Sequence, residues 1–243
     1  MKGFALFACS NSPLRPPSFC VMHHNKKDWL PYCNILPTFG HKRVKQAMIK
    51  NTIADKFQII LASKSPRRRQ LLADAGFEFT LADNIDVEEV YPANLAAEEV
   101  AEFLSNLKAD AYPKTLAANE VLITSDTVVV AEGEVLGKPT DYEDAFRMIR
   151  LMSGKMHKVI TAVCIRTATQ KISFSDECDV FFDDLTDEEI AFYINHYKPY
   201  DKAGAYGIQE WIGYVGIKKI EGSFFTVMGF PIHRVYQELK KLQ

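Results

Sequence analysis

The sequence predicts a mixed α/β fold, and three observations carry that reading. From about Phe57 onward, short apolar runs alternate with amphipathic stretches of helical period, as strand–helix units do. Two long β-rich runs, 157–167 and 171–182, flank Ala168-Thr169-Gln170 and are most simply an antiparallel hairpin, so parallel and antiparallel pairs share one sheet. Finally, 243 residues at 47% apolar and 25% charged suffice for one large α/β domain or two small ones, with ample core.

The first strand is the apolar run Ile59-Ile60-Leu61. It breaks at Ser63-Lys64-Ser65 into a helix. Ser65 suits the N-cap, Gly76 the stop, and Pro66 the first helical position, where its missing N–H would be unpaired anyway. Residues 77–82 read as a second strand. The stretch 94–112 gathers Leu95, Val100, Phe103, Leu104 and Leu107 on one face and predicts a long amphipathic helix. Two short strands, 121–124 and 128–131, are separated by Ser125-Asp126-Thr127, and Glu132-Gly133 turns the second into a hairpin. A helix over 141–152 ends near Gly154. Beyond the long hairpin, Thr186-Asp187-Glu188-Glu189 is a capping box that opens a helix to His196. A loop, a short strand near 215–220 and a final helix after Pro231 complete the chain, with no internal repeat.

The first 47 residues differ from the rest. Cys9, Cys20, Cys33, His23, His24 and His41 lie there among prolines, without periodicity. A zinc site from Cys9, Cys20, His24 and Cys33 is conceivable, but the set lacks a close Cys-x-x-Cys pair. The apolar stretch 3–9 is too short, and Pro13, Pro16 and Pro17 follow it too closely, for a secretory signal. The expectation is a poorly ordered extension over 1–47, with Met48 as a candidate start, followed by one domain over 48–243. Charge divides at the same place. Residues 1–50 hold eight Lys or Arg and one acid, Asp28, which leaves 21 basic against 30 acidic residues in the remainder. An acidic body argues against a nucleic-acid surface, and no apolar run is long enough for a membrane span. Cys164 and Cys178, in predicted strands, suggest buried thiols in a reducing, cytoplasmic setting.

Three loops carry chemistry. In the first, three arginines crowd the opening turn of the helix after Pro66. Free N–H groups at a helix start favour an anion, and guanidinium forks match phosphate oxygens, so this turn suggests a polyphosphate; a solvated basic face explains it about as well. In the second, Asp126 sits at the end of a buried strand. There a carboxylate must be paired, hydrated at a cleft or bound to a metal, or else serve as a simple Asx-turn. Its functional readings are a general base for water or a ligand to a divalent cation. Gly137-Lys138-Pro139 follows, and a lysine held in that stiff turn can reach a phosphate as a point charge, although solvated loop lysines are common. In the third, Asp201-Lys202-Ala203-Gly204-Ala205-Tyr206-Gly207-Ile208-Gln209 combines small residues that permit close approach with an amide suited to a nucleobase edge.

Ser63-Lys64-Ser65-Pro66-Arg67-Arg68, Ser125-Asp126-Thr127, Gly137-Lys138-Pro139, Ser153-Gly154 with His157, and the loop 201–209 together resemble, in order and spacing, the Maf family of nucleoside triphosphate pyrophosphatases. The resemblance runs from about residue 57 to the C-terminus and favours the dTTP/UTP branch over the 7-methyl-GTP branch. It implies a strongly twisted mixed sheet with flanking helices around a central cleft, as in the related inosine triphosphate pyrophosphatases. It also implies Asp126 as proton acceptor, with Lys138 beside it in catalysis. Arg67, Thr127 and Gln209 match positions linked to substrate choice, and Ser63, Arg68, Lys108 and Lys138 match phosphate contacts. Glu89 resembles an acidic residue near the metal, with Asp86 and Glu88 as neighbours able to take its place. Lys64 departs from the family pattern, where a small residue is usual, and the extension has no counterpart.

The expected activity is hydrolysis of the α–β bond of a nucleoside triphosphate, dTTP and UTP first, to the monophosphate and pyrophosphate. A divalent cation, Mg²⁺ or Mn²⁺, would bridge phosphate oxygens and a carboxylate. The expected partner is the nucleotide, with no nucleic acid and no membrane, and a homodimer is left open. The alternatives are a nucleotidyltransferase, or a nucleotide-binding regulator of division or growth that works without turnover.

Overall fold

Branched aliphatics on both sides of Ser125-Asp126-Thr127 form one continuous strand in the computed structural model, which describes residues 56–82, 85 and 87–242. This strand, β3 (Glu120–Ala131), replaces the two short strands expected from sequence. The reason is pairing. The following strand in the sheet, β5 (Met156–Arg166), runs antiparallel to β3 without a break from Leu122↔Arg166 to Val130↔Lys158, and that ladder overrides the turn preference of Ser and Asp. The expected hairpin is present, with β6 (Lys171–Phe182) paired to β5 along its whole length.

On its other edge β3 meets two partners. Strand β1 (Gln58–Leu61) lies parallel to residues 120–123, and β2 (Phe79–Leu81) lies parallel beyond it. Strand β4 (Glu134–Leu136) pairs antiparallel with residues 129–131. With β7 (Ile217–Glu221) added outside β6, the order is β2-β1-β3-β5-β6-β7, and the sheet is mixed as expected.

The period-2 alternation of β3 divides the core between two faces. Even-numbered residues face α2 (Val100–Asp110): Leu122 and Val128 lie in the apolar clusters beneath it, and the Thr124 hydroxyl donates to the Ser105 carbonyl at 2.7 Å. Odd-numbered residues face the opposite side. There Val121 and Ile123 pack with Leu71 and Leu72 of α1 (Pro66–Asp74) and with Val235 and Leu239 of α7 (Ile232–Lys241). Further along the same face, Val129 packs with Ile149 of α3 (Tyr142–Met152) and Ile194 of α4 (Asp187–Tyr197). The two short helices α5 (Trp211–Val215) and α6 (Phe224–Val227) were not foreseen.

Several boundaries shift for identifiable reasons. The helix expected over 94–112 is a 3-10 turn, Ala97–Glu99, followed by α2. Its start is delayed because the Leu95 N–H turns back to the Pro92 carbonyl at 3.0 Å. It ends early because Pro113 disfavours helical geometry at Tyr112. Strand β2 begins at Phe79 because the Phe77 N–H closes the end of α1 on the Leu72 carbonyl at 3.2 Å. Strand β7 begins only after α5 has ended at Gly216. Ser65 does hold the N-cap position, but its side chain makes no capping bond. The capping box of Thr186 and Glu189 is complete. No helix among the described residues is long and apolar enough to cross a membrane. The extension over 1–47, its cysteine–histidine set and the start at Met48 lie outside the described residues.

Candidate active site

The pairing pattern leaves a notch in the sheet. Between Ile123, the last partner of β1, and Val129, the first partner of β4, strand β3 is paired on one edge only. Residues 125–128 therefore line a cleft of about 870 Å³, within the usual range for a small-molecule site. All nine residues singled out from sequence line it: Ser63, Arg67, Arg68, Glu89, Lys108, Asp126, Thr127, Lys138 and Gln209.

Arg68 takes the place of the missing strand. Its Nη1 donates to the Ser125 carbonyl at 2.7 Å, its Nε to the Gly229 carbonyl at 2.7 Å and its Nη2 to Thr127 Oγ1 at 3.0 Å. Three of its five N–H groups are thus committed to the protein and two remain. The bonds continue through the sheet. Because the Thr161 hydroxyl donates to the Thr226 carbonyl at 2.8 Å, the 3.0 Å contact between Thr127 and Thr161 has Thr127 as donor. Arg69 braces the turn itself, reaching the Ser63 carbonyl through Nε at 3.3 Å and Nη2 at 3.2 Å. Ser63 Oγ accepts from the Ser65 N–H at 3.2 Å, while Lys64 is exposed and lines the cleft.

Asp126 lies on the α2 face of β3 and is 8% exposed. Lys108, near the end of α2, donates to Asp126 Oδ1 and also reaches Glu89 Oε1 at 2.9 Å. Partial burial works against ionisation of Glu89, but Lys108, with help from Lys138 and Arg68, outweighs it and holds the carboxyl below its usual range. Two carboxylates thus converge on one ammonium. Among the described residues no group of three or more His, Cys, Asp and Glu side chains could hold a metal. Magnesium is commonly bound by one or two carboxylates plus substrate phosphates, so Glu89 and Asp126 fit a cation that arrives with a nucleotide. Asp86 lies outside the described residues, and Glu88 does not line the cleft. Lys138 is exposed in the turn after β4.

The far wall is the loop 201–209. Gly204 has φ +67°, and a Cβ there would meet Val129 Cγ2 at 2.8 Å, so the loop lies directly on β3 only because this position is glycine. The Gly204 N–H also donates to the Gly137 carbonyl at 3.0 Å, which joins this loop to the Lys138 turn. Arg67 crosses the cleft to Asp201, with Nη1 3.0 Å from Oδ2. Partial burial opposes ionisation of Asp201, yet Lys202 and Arg67 together lower its pKa. Gln209 closes the loop with its side-chain Oε1 buried and without a hydrogen-bond partner.

Sequence reasoning gave no role to the polar groups beneath this loop, although His157 and Lys202 stand in the motifs that carry the family resemblance. Lys202 is 7% exposed and pairs with Asp201 Oδ1 at 2.7 Å and Glu210 Oε1 at 3.2 Å. His157, fully buried, shares a 2.8 Å hydrogen bond between Nε2 and the Tyr206 hydroxyl. The rings of His157, Phe182 and Tyr206 meet edge to face, with centroids 4.8–5.4 Å apart. Burial pushes the imidazole down to about 3, so it is neutral at physiological pH. Apart from those motifs, the sequence signal was a lysine and a histidine inside otherwise apolar or small-residue stretches.

The family model described as "Maf-like protein" matches residues 58–242. A dTTP/UTP pyrophosphatase of Bacteroides thetaiotaomicron is 52% identical over 188 residues, covering 77% of this chain and 97% of that protein. One from Flavobacterium johnsoniae is 51% identical over 187 residues, covering 77% and 96%. Among solved structures, a HAM1 protein from Coxiella burnetii covers 76% of this chain and 99% of its own at 12% identity, with a TM-score of 0.41.

Proposed function

This chain belongs to the Maf family, and on that premise we infer that it is a nucleoside triphosphate pyrophosphatase acting on dTTP and UTP. The observation that carries the reading is the notch in the sheet, where an acidic group on β3 faces a cleft in which Arg67, Arg68, Lys108, Lys138 and other cations outnumber the carboxylates Asp126, Glu89 and Asp201. A triphosphate satisfies that excess of cations, and a carboxylate among them has a task other than binding anions. The relatives named dTTP/UTP pyrophosphatase, matched over nearly their whole length, supply the substrate class.

In the reaction so read, water attacks the α-phosphorus and the bond to the β-phosphate bridging oxygen breaks, releasing pyrophosphate. Lys108 holds Asp126 Oδ1, and Oδ2, the oxygen not engaged by that lysine, takes the proton from water. Arg67 and Lys138 lie against the phosphates, and Arg68 adds its two remaining N–H groups and its fixed charge, offsetting the charge that develops on the leaving pyrophosphate. A divalent cation held by Glu89 and phosphate oxygens would supply further charge neutralisation there. At the other end, the Gln209 amide reads the base. Uracil and thymine present a carbonyl beside an imide N–H, and the buried Oε1 that finds no partner in the protein is an acceptor for that N–H. Cytosine and adenine lack this donor. The buried thiols Cys164 and Cys178, pushed up to about 11 by burial, fit a reducing compartment such as the cytoplasm.

The test is a panel of nucleoside triphosphates with water as sole acceptor, reading pyrophosphate and orthophosphate separately. UTP and dTTP should each give the monophosphate and pyrophosphate at similar rates, well above ATP and GTP, because one methyl is worth only roughly 1 kcal/mol in a pocket. Release of orthophosphate would refute the α–β cleavage. Fastest turnover of GTP would refute the base assignment alone.

A further inference from the structure

Tyr193 lies on α4, outside the lining of the cleft, with its side chain fully buried. Its hydroxyl accepts from the Gly207 N–H at 2.9 Å and donates to Glu210 Oε2. Burial, followed by the Glu210 carboxylate, raises the phenol pKa, so it stays a donor at any working pH. Glu210 is held from its other oxygen by Lys202.

The two groups that Tyr193 grips flank Gln209 in the chain, and Gly207 lies against both the Gln209 side chain and the Glu210 carboxylate. A Cβ on Gly207 would lie 2.9 Å from Gln209 Nε2 and 3.0 Å from Glu210 Cδ. The amide of Gln209 therefore rests on bare backbone at Gly207, and the Glu210 carboxylate sits over the same residue. A freely rotating amide would not discriminate between bases, because its donor and acceptor could exchange places. Fixing it requires that the surface beneath it be fixed, and one phenol oxygen anchors both parts of that surface.

We propose that Tyr193 is a positioning residue for base choice, aiming the Gln209 amide by holding the Gly207 backbone and the Glu210 carboxylate at once. The proposal rests on the reading that Gln209 contacts the base, and the experiment separates the two. Tyr193→Phe removes a single oxygen and leaves the ring in the core. Steady-state kinetics of the full chain with UTP and GTP should show KM for UTP raised about fivefold to tenfold, the effect of losing one buried hydrogen bond. The kcat for UTP should stay within about twofold and KM for GTP should not move, so the UTP-to-GTP ratio of kcat/KM falls by the same factor as KM rises. A merely structural tyrosine would lower the melting temperature and depress both substrates alike, leaving that ratio unchanged.

Gly207→Ala, which keeps the Tyr193 hydroxyl but crowds the Gln209 amide and the Glu210 carboxylate that this hydroxyl holds, should lower the ratio too, and it answers the question if the tyrosine variant does not fold. An unchanged ratio in that variant refutes the claim that the aim of the amide sets base choice. Gln209→Ala is the control. If it lowers the ratio while Tyr193→Phe does not, the positioning role alone is overturned. If Gln209→Ala leaves the ratio as it was, the base reading fails and the proposal fails with it.

Discussion

Acidification should unfold this protein through His157, and the size of the effect follows from the ring's surroundings. The imidazole is enclosed, with the rings of Phe182 and Tyr206 edge-on to it, and Nδ1 has no hydrogen-bond partner. Its pKa is about 3 in the folded chain, against 6.5 for the unperturbed group. The unfolded chain therefore binds the proton first. Above pH 6.5 both states are neutral and His157 makes no pH-dependent contribution. As pH falls from 6.5 toward 3, the unfolded state gains a proton that the native state refuses, and stability drops. The loss amounts to about 2 kcal/mol at pH 5 and rises to roughly 4 kcal/mol at pH 3. His157→Gln removes the titration while leaving a polar group that can reach the Tyr206 hydroxyl. The assay is urea unfolding of both proteins at pH 7 and pH 5. Carboxylates such as Asp201 and Glu89 titrate in both proteins and cancel in the comparison. The wild type should lose about 2 kcal/mol more than the variant between the two pH values. Equal losses would refute a neutral, desolvated His157. Because Tyr206 also lines the cleft, activity toward UTP should fall at or before global unfolding.

Three further outcomes follow from the geometry of the site. Asp126→Asn should lower turnover by about 10²–10⁴-fold, the usual effect of losing a general base, with nucleotide affinity measured by calorimetry largely kept; near-normal turnover would reduce Asp126 to a structural residue. Arg67→Lys should lose much of the activity although the charge is retained, because an ammonium cannot reproduce a bidentate fork, and unchanged kinetics would show that charge alone matters there. Gly213→Ala should destabilise the protein by about 1–3 kcal/mol in thermal unfolding, since a Cβ there collides with the backbone carbonyl of Ile208; an unchanged melting temperature would contradict that contact.

The parts of the site that could be read from sequence are those whose chemistry conflicts with their local surroundings. Asp126 stands out in an apolar run, and Arg67 and Arg68 stand out at a helix start after Pro66. Lys108 does not. It is one polar residue on an amphipathic helix, and the sequence holds no sign that it lies over the even-numbered face of β3; only the family resemblance singled it out. The same limit hid the Tyr193, Glu210 and Lys202 network, whose members come from a helix and two parts of a loop and meet only through tertiary packing. The continuity of β3 was missed for a different reason. Ser, Asp and Thr are frequent turn residues, and the local preference was sound, but a complete ladder with β5 supplied hydrogen bonds that a turn would have forfeited. Helix ends were legible where a proline or a capping box wrote them locally, and uncertain where a main-chain bond decided them, as at Leu95 and Phe77.

The one-sided pairing of β3 also bears on how such an enzyme can diversify. The reacting carboxylate is built into the middle of a ladder, where inserting or deleting a single residue would turn Asp126 away from Lys108 toward the opposite face. On the proposed reading, base recognition resides in a largely buried loop attached by a glycine contact to Val129, a main-chain bond to Gly137 and a tyrosine from α4. Hydrolysis and the Gln209 part of base choice would then be separately editable. On that reading, grafting a different 201–213 segment onto this scaffold would redirect base choice at Gln209 while Asp126 and its strand are inherited unchanged, and no equivalent exchange is open to residues 120–131.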